Sequence, residues 1–76
     1  MNIRIQFLGA MARLAGEDER TIEVPNPATV ADAVQKLAAD PAIAGALASC
    51  TYSVAGSPVG ASYLLREGGE LVLSRD

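Results

Sequence analysis

Apolar residues recur with period two at several places in this chain and with helical period over one long stretch, and that distribution restricts the folds open to it. In Met1 to Phe7, Ile3, Ile5 and Phe7 alternate with Asn2, Arg4 and Gln6, the pattern of a half-buried strand that ends at Gly9. Ala10 to Ala15 is a short helical run closed by Gly16, and the acidic turn Glu17-Asp18-Glu19 follows. Arg20 to Val24 alternates again with Ile22 and Val24 inward, so the first two strands are expected to be antiparallel neighbours. Pro25-Asn26-Pro27 stops that strand. Thr29 stands at a helix N-cap position, with Asp32 three residues on as the partner of an imperfect capping box. The main helix is predicted over Thr29 to Ala39, with Val30, Val34, Leu37 and Ala38 on its apolar face and Asp32, Gln35, Lys36 and Ala39 pointing away. Asp40 caps a second, shorter helix, Pro41 to Ala48, in which Ile43 and Leu47 share a side. Thr51 to Ala55 is a third strand, Gly56-Ser57-Pro58 a turn, and Val59-Gly60 at most a very short strand. Tyr63-Leu64-Leu65 is expected to plug the sheet edge, and Glu67-Gly68-Gly69 turns into a last strand, Glu70 to Ser74, with Leu71 and Leu73 inward. This order is α+β, one helix across one face of a mixed sheet, in a single domain spanning residues 1 to 76.

A chain of 76 residues buries only ~60% of the surface its unfolded form exposes, which leaves little room for a large internal active site. With one cysteine, Cys50, no internal disulfide can form, and a reducing cytoplasm is the expected compartment. The long uncharged stretch Pro41 to Ser62 is broken by Pro and Gly and rich in Ser and Thr, so no membrane association is expected. Net charge is −3 and the six basic residues are scattered, which argues against nucleic acid as a partner. The chain contains no histidine, the commonest general base and metal ligand. It also lacks a phosphate loop and paired-cysteine spacing. Catalysis by the chain alone is therefore not expected, and no catalytic, cofactor or metal residues are assigned. Cys50 sits near a strand start without an activating base or cation nearby in sequence and reads as packing. Tyr52 and Tyr63 read the same way, and Glu17, Asp18 and Glu19 read as a solvated turn, since three consecutive carboxylates cannot converge on a metal unaided.

The segments "IRIQFLGAMARLAG", "PATVADAVQKLA", "YSVAGSPVG" and "LLREGGELVL" resemble, in order and spacing, the ubiquitin-like sulfur carriers. That family comprises the small subunit of molybdopterin synthase and the sulfur carrier of thiamine synthesis. The resemblance spans nearly the whole chain and implies a β-grasp fold, with the first and last strands adjacent. It also implies a carrier whose C-terminal Gly-Gly is adenylated by one partner enzyme, converted to a thiocarboxylate and inserted into another partner's active site. The implied partners are the large subunit of molybdopterin synthase and an adenylating enzyme.

The sequence departs from the family where the carrier tail belongs: it has Ser74-Arg75-Asp76 in place of an extension to Gly-Gly, and Gly68-Gly69 precedes the last strand. The chain ending at Asp76 is accordingly expected not to form a C-terminal thiocarboxylate, because the few residues past Leu73 reach only ~10 Å. Parity places Leu8 and Val72 on the face opposite Ile3, Ile5, Phe7, Leu71 and Leu73, with Pro58 nearby by the family resemblance. In the family that face and the tail dock on the partner. Leu8, Pro58, Val72, Ser74, Arg75 and Asp76 are the expected partner interface, with Ser74 where the family often has an aromatic residue. The leading expectation is a sulfur carrier of the molybdopterin synthase small-subunit type, in molybdenum cofactor biosynthesis, without its carrier tail. The alternatives are a noncovalent β-grasp interaction module and a thiamine-pathway carrier.

Overall fold

A computed structural model describes residues 1–75. Strand β1 (Asn2–Gly9) leads into helix α1 (Ala10–Ala15), strand β2 (Glu19–Glu23), helix α2 (Val30–Leu37) and helix α3 (Pro41–Ala44). A 3-10 turn at Leu47–Ser49, strand β3 (Thr51–Val54), strand β4 (Ser57–Pro58) and strand β5 (Glu70–Arg75) complete the order. The five strands form one sheet in the order β2-β1-β5-β3-β4. β1 runs antiparallel to β2 and parallel to β5, so the first and last strands lie side by side at the centre, as expected.

The alternation sets the core directly. Ile3, Ile5, Phe7, Ile22, Leu71 and Leu73 all turn to the helical side and are buried there against Met11, Val30, Ala33, Leu37, Ile43 and Leu47. Each fully buried large side chain contributes roughly 1.5–3 kcal/mol relative to an exposed one. α2 begins at a complete capping box: the Thr29 hydroxyl accepts from the Asp32 N–H at 3.4 Å, and the Asp32 carboxylate accepts from the Thr29 N–H at 2.8 Å. Its buried stripe is Val30, Ala33 and Leu37. The helix is therefore rotated from the expected face: Ala33 points into the core, Val34 is only half-buried and Ala38 is exposed. A helix lying close on a sheet needs a small residue at the contact, and Ala33 supplies it.

Three local expectations need correction. The second helix stops at Ala44, and Leu47 is carried inward by the separate 3-10 turn. The hairpin turn falls on Ala55-Gly56, both with positive φ (53° and 81°), so Ser57 and Pro58 are strand residues paired with Val54 and Ser53. Two-residue hairpins favour turns whose twist matches the strands, and those require positive φ. Tyr63 to Leu65 does not close the sheet edge. It runs beside the start of α2, where the Leu65 N–H donates to the Ala28 carbonyl and the Val30 N–H to the Tyr63 carbonyl, both at 2.9 Å. The Gly68-Gly69 turn is as expected; it fastens β5 to β1 through Gly68 N–H to the Asn2 carbonyl and Arg4 N–H to the Gly69 carbonyl.

Gly9 fixes the far end of the central pair. Its backbone, at φ 62° and ψ −134°, lies where side-chain-bearing residues are strongly disfavoured. A Cβ there would also collide with the Arg75 carbonyl.

Candidate functional site

Because strand parity is transmitted across a ladder, the residues not used for the core share one open face. Register arranges them in rows: Leu8 beside Ser74 and then Thr51; Gln6 beside Val72, Ser53 and Pro58; Arg4 beside Glu70. Leu8 and Val72 are diagonal neighbours on adjacent central strands, and Leu8 is 43% exposed while Val72 is half-covered. Gln6, Ser53, Ser74 and Thr51 surround them, so the apolar centre is small and ringed by uncharged polar groups. Charges flank this ring: Glu19 pairs with Gln6 at the β2 end of the Val72 row, and one row on Arg4 meets Glu70 at 2.7 Å and Glu19 at 3.6 Å.

Of the expected interface residues, Leu8, Val72 and Ser74 are thus brought together. Pro58 is on the same face and exposed, but Ser53 separates it from Val72 by two strand spacings, ~10 Å. Arg75 pairs with Gly9 at the end of β5, exposed and of opposite parity to Ser74, and lines a polar recess of about 410 Å³ with Ser49, Thr51 and Ser74. Asp76 lies outside the described residues. Thr51 and Ser53 belong to the face although the sequence did not single them out; their membership depends on β3 pairing with β5, which no local pattern announces.

Of the residues set aside from chemistry, Cys50 and Tyr52 pack against the core as expected, whereas Tyr63, expected to pack, is 39% exposed. The Cys50 thiol points at the Leu47 carbonyl (3.2 Å), which also accepts from the Tyr52 hydroxyl at 2.9 Å. Burial pushes the Cys50 thiol up from its ordinary value, away from the thiolate a nucleophile needs. Glu17 and Glu19 diverge, one to Arg20 at 2.7 Å and the other to Arg4, rather than converging on a common point. No helix is long and apolar enough to cross a membrane among the described residues.

No protein-family profile and no curated protein sequence matches the chain. Solved structures do. A crystal structure of small archaeal modifier protein 1 from Haloferax volcanii superimposes with a TM-score of 0.87 at 22% identity, over 96% of this chain and 92% of that one. A second crystal structure of the same H. volcanii protein gives 0.85 at 22%, over 96% and 94%. A Pyrococcus furiosus protein assigned as molybdopterin converting factor, subunit 1, gives 0.86 at 20%, over 97% and 95%. The fold is the ubiquitin-like β-grasp. Its β-grasp sheet presents the Leu8–Val72 face on one side and carries α2 on the other, in agreement with the expectation from the sequence.

Proposed function

We propose that this β-grasp domain is a carrier or modifier of the sulfur-carrier type that acts through partner proteins, docking by its open sheet face. The observation that carries the reading is the convergence of Leu8, Val72 and Ser74 on the two central strands, beside the end of β5. A segment leaving β5 would emerge next to that patch, so face and tail would engage one partner together. The likeness in fold to a modifier protein and to a molybdopterin converting factor subunit supports the same reading. The partner we favour is the large subunit of a molybdopterin synthase, with an adenylating enzyme acting before it, and the setting is the cytoplasm. An apolar centre within a polar rim suits such docking.

The intact mass of the product of the native gene tests the carrier half. Four or so residues beyond Asp76 ending in Gly-Gly support a carrier, whereas a natural stop after Asp76 favours a noncovalent module using the same face. Capture of the large synthase subunit tests the docking half. Val72→Asp places a charge in the apolar centre and should weaken capture, and undiminished capture by this variant would refute the assignment of the face.

A further inference from the structure

β2 is one of the sheet's two edge strands, and half of its main-chain hydrogen-bonding groups point outward. Along β2, the Val24 N–H donates to the Met1 carbonyl and the Asp18 carbonyl accepts from the Phe7 N–H, so the even-numbered residues face β1. The N–H and C=O groups of Glu19, Thr21 and Glu23 therefore face away from the sheet. All three residues are exposed, and among the described residues β2 has no neighbour on that side in the sheet. Exposed edges of this kind template the pairing of another chain unless something prevents it.

The charges along the edge select what can pair. A second copy in full antiparallel register, centred on Thr21, would set Glu19 opposite Glu23 at both ends. Like charges directly opposite are destabilising, so self-pairing is disfavoured. A strand carrying Lys or Arg at those two positions meets the reverse situation. Glu23 makes no ion pair among the described residues, and Glu19 has only its 3.6 Å contact with Arg4. On the helical side a groove of about 460 Å³ opens beside the same strand, with Val24, Pro25 and Ala39 lining it together with Gln35 and Lys36 of α2. An added strand would point alternate side chains into this groove, where Val24, Pro25 and Ala39 favour an aliphatic group, while Asp32 and Lys36, of opposite charge, select neither a cation nor an anion.

We propose that the outer edge of β2, with the groove between β2 and α2, takes up an extended peptide segment of a partner protein as a sixth strand, basic opposite Glu19 and Glu23 and aliphatic over the groove. Main-chain hydrogen bonds from Thr21 and Glu23 hold the segment, and the alternation of basic and aliphatic side chains selects it. Glu19 and Glu23 project on the same open face as the Leu8–Val72 patch, with Gln6 between Glu19 and Val72, but the main-chain groups of the edge that hold the segment belong to β2 and not to the patch.

The test is titration of the isotope-labelled protein with the acetylated, amidated peptide Val-Lys-Val-Thr-Ser-Lys, followed by backbone amide resonances. Shifts are expected at Thr21 and Glu23 and along Gln35 to Ala39, with slowed hydrogen exchange at the Thr21 and Glu23 N–H groups. The peptide with both lysines replaced by glutamate should bind roughly tenfold more weakly, as two exposed charge pairs turn from attraction to repulsion. Glu19→Lys combined with Glu23→Lys should reverse the preference, and both sites are exposed, so the fold should survive. The wild-type comparison of the two peptides stands even where this variant fails to fold. Equal binding of both peptides, shifts centred on Leu8 and Val72, or no shift at roughly millimolar peptide would overturn the proposal and leave the carboxylates as guards against edge pairing. A concentration-dependent dimer blocking the edge would overturn it as well.

Discussion

Replacing Gly9 by alanine should separate two effects that usually arrive together. At φ 62° and ψ −134° the residue occupies a region open essentially to glycine, and placing alanine there costs about 2–3 kcal/mol. The new Cβ would also overlap the Arg75 carbonyl, and moving it disturbs the Gly9–Arg75 end of the β1–β5 ladder, at about 1 kcal/mol for a hydrogen bond. The lower chain entropy of alanine in the unfolded state returns about 0.4–1 kcal/mol. The net loss is about 2–3.5 kcal/mol, a large share of the ~4–11 kcal/mol expected for a domain of this length. Gly16→Ala is the matched control: Gly16 is left-handed at φ 75° and ψ 13°, and a Cβ there meets nothing within 4 Å. It should cost about 1 kcal/mol or less after the same entropic offset. Thermal unfolding followed by circular dichroism should therefore place the Gly9 variant roughly 10 °C below the Gly16 variant. Equal midpoints would show that the close approach to Arg75 does not constrain the sheet.

Ala55→Asn should raise stability by about 1 kcal/mol, read as a higher urea midpoint, because asparagine tolerates the positive φ of 53° that alanine adopts here. Phe7→Ala should cost about 3–5 kcal/mol in the same assay, since the ring is 1% exposed at the centre of the core. Thr29→Ala removes the hydroxyl half of the capping box and should cost about 1 kcal/mol, with Thr29→Ser restoring most of it. Cys50 should be alkylated by iodoacetamide more slowly than free cysteine at mildly alkaline pH, because burial raises its pKa. The folded state then holds the thiol proton more tightly than the unfolded one. This contribution to stability is intact below the ordinary thiol pKa and declines as pH rises through and above it. Cys50→Ala should remove that component of the alkaline loss.

Strand parity was the most legible property of the sequence. Ile3, Ile5, Phe7, Leu71 and Leu73 announced their common side without reference to any neighbour, and the opposite parity of Leu8 and Val72 came with it. What required the fold was the rest of the strand order, beyond the expected β1–β2 and β1–β5 neighbours. That Leu8 sits beside Ser74 and Thr51, or that Pro58 stands two strands away from Val72, follows from β5 inserting between β1 and β3. The rotation of α2 is not legible in the sequence because Val34 is more apolar than Ala33. The core preferred the smaller residue at the closest approach and left Val34 beside Leu47 and Tyr52. The Ala55-Gly56 turn was displaced toward Pro58 because an alanine with positive φ carries no compositional signal.

The placement of β5 between β1 and β3 also dictates when this protein can exist. β1 is made before both of its partners, and one of them follows 66 positions later, the separation of Arg4 from Glu70. At cellular synthesis rates that interval is about 3–13 s. During it Ile3, Ile5 and Phe7 have β2 and the helices to pack against, but an open slot stands where the centre of the sheet will be. Non-local pairing of this kind is slow to form and exposed to wrong pairing in the meantime. A nascent chain halted before Glu70 should therefore engage chaperones, and release of the last six residues of the sheet should be the event that ends that dependence.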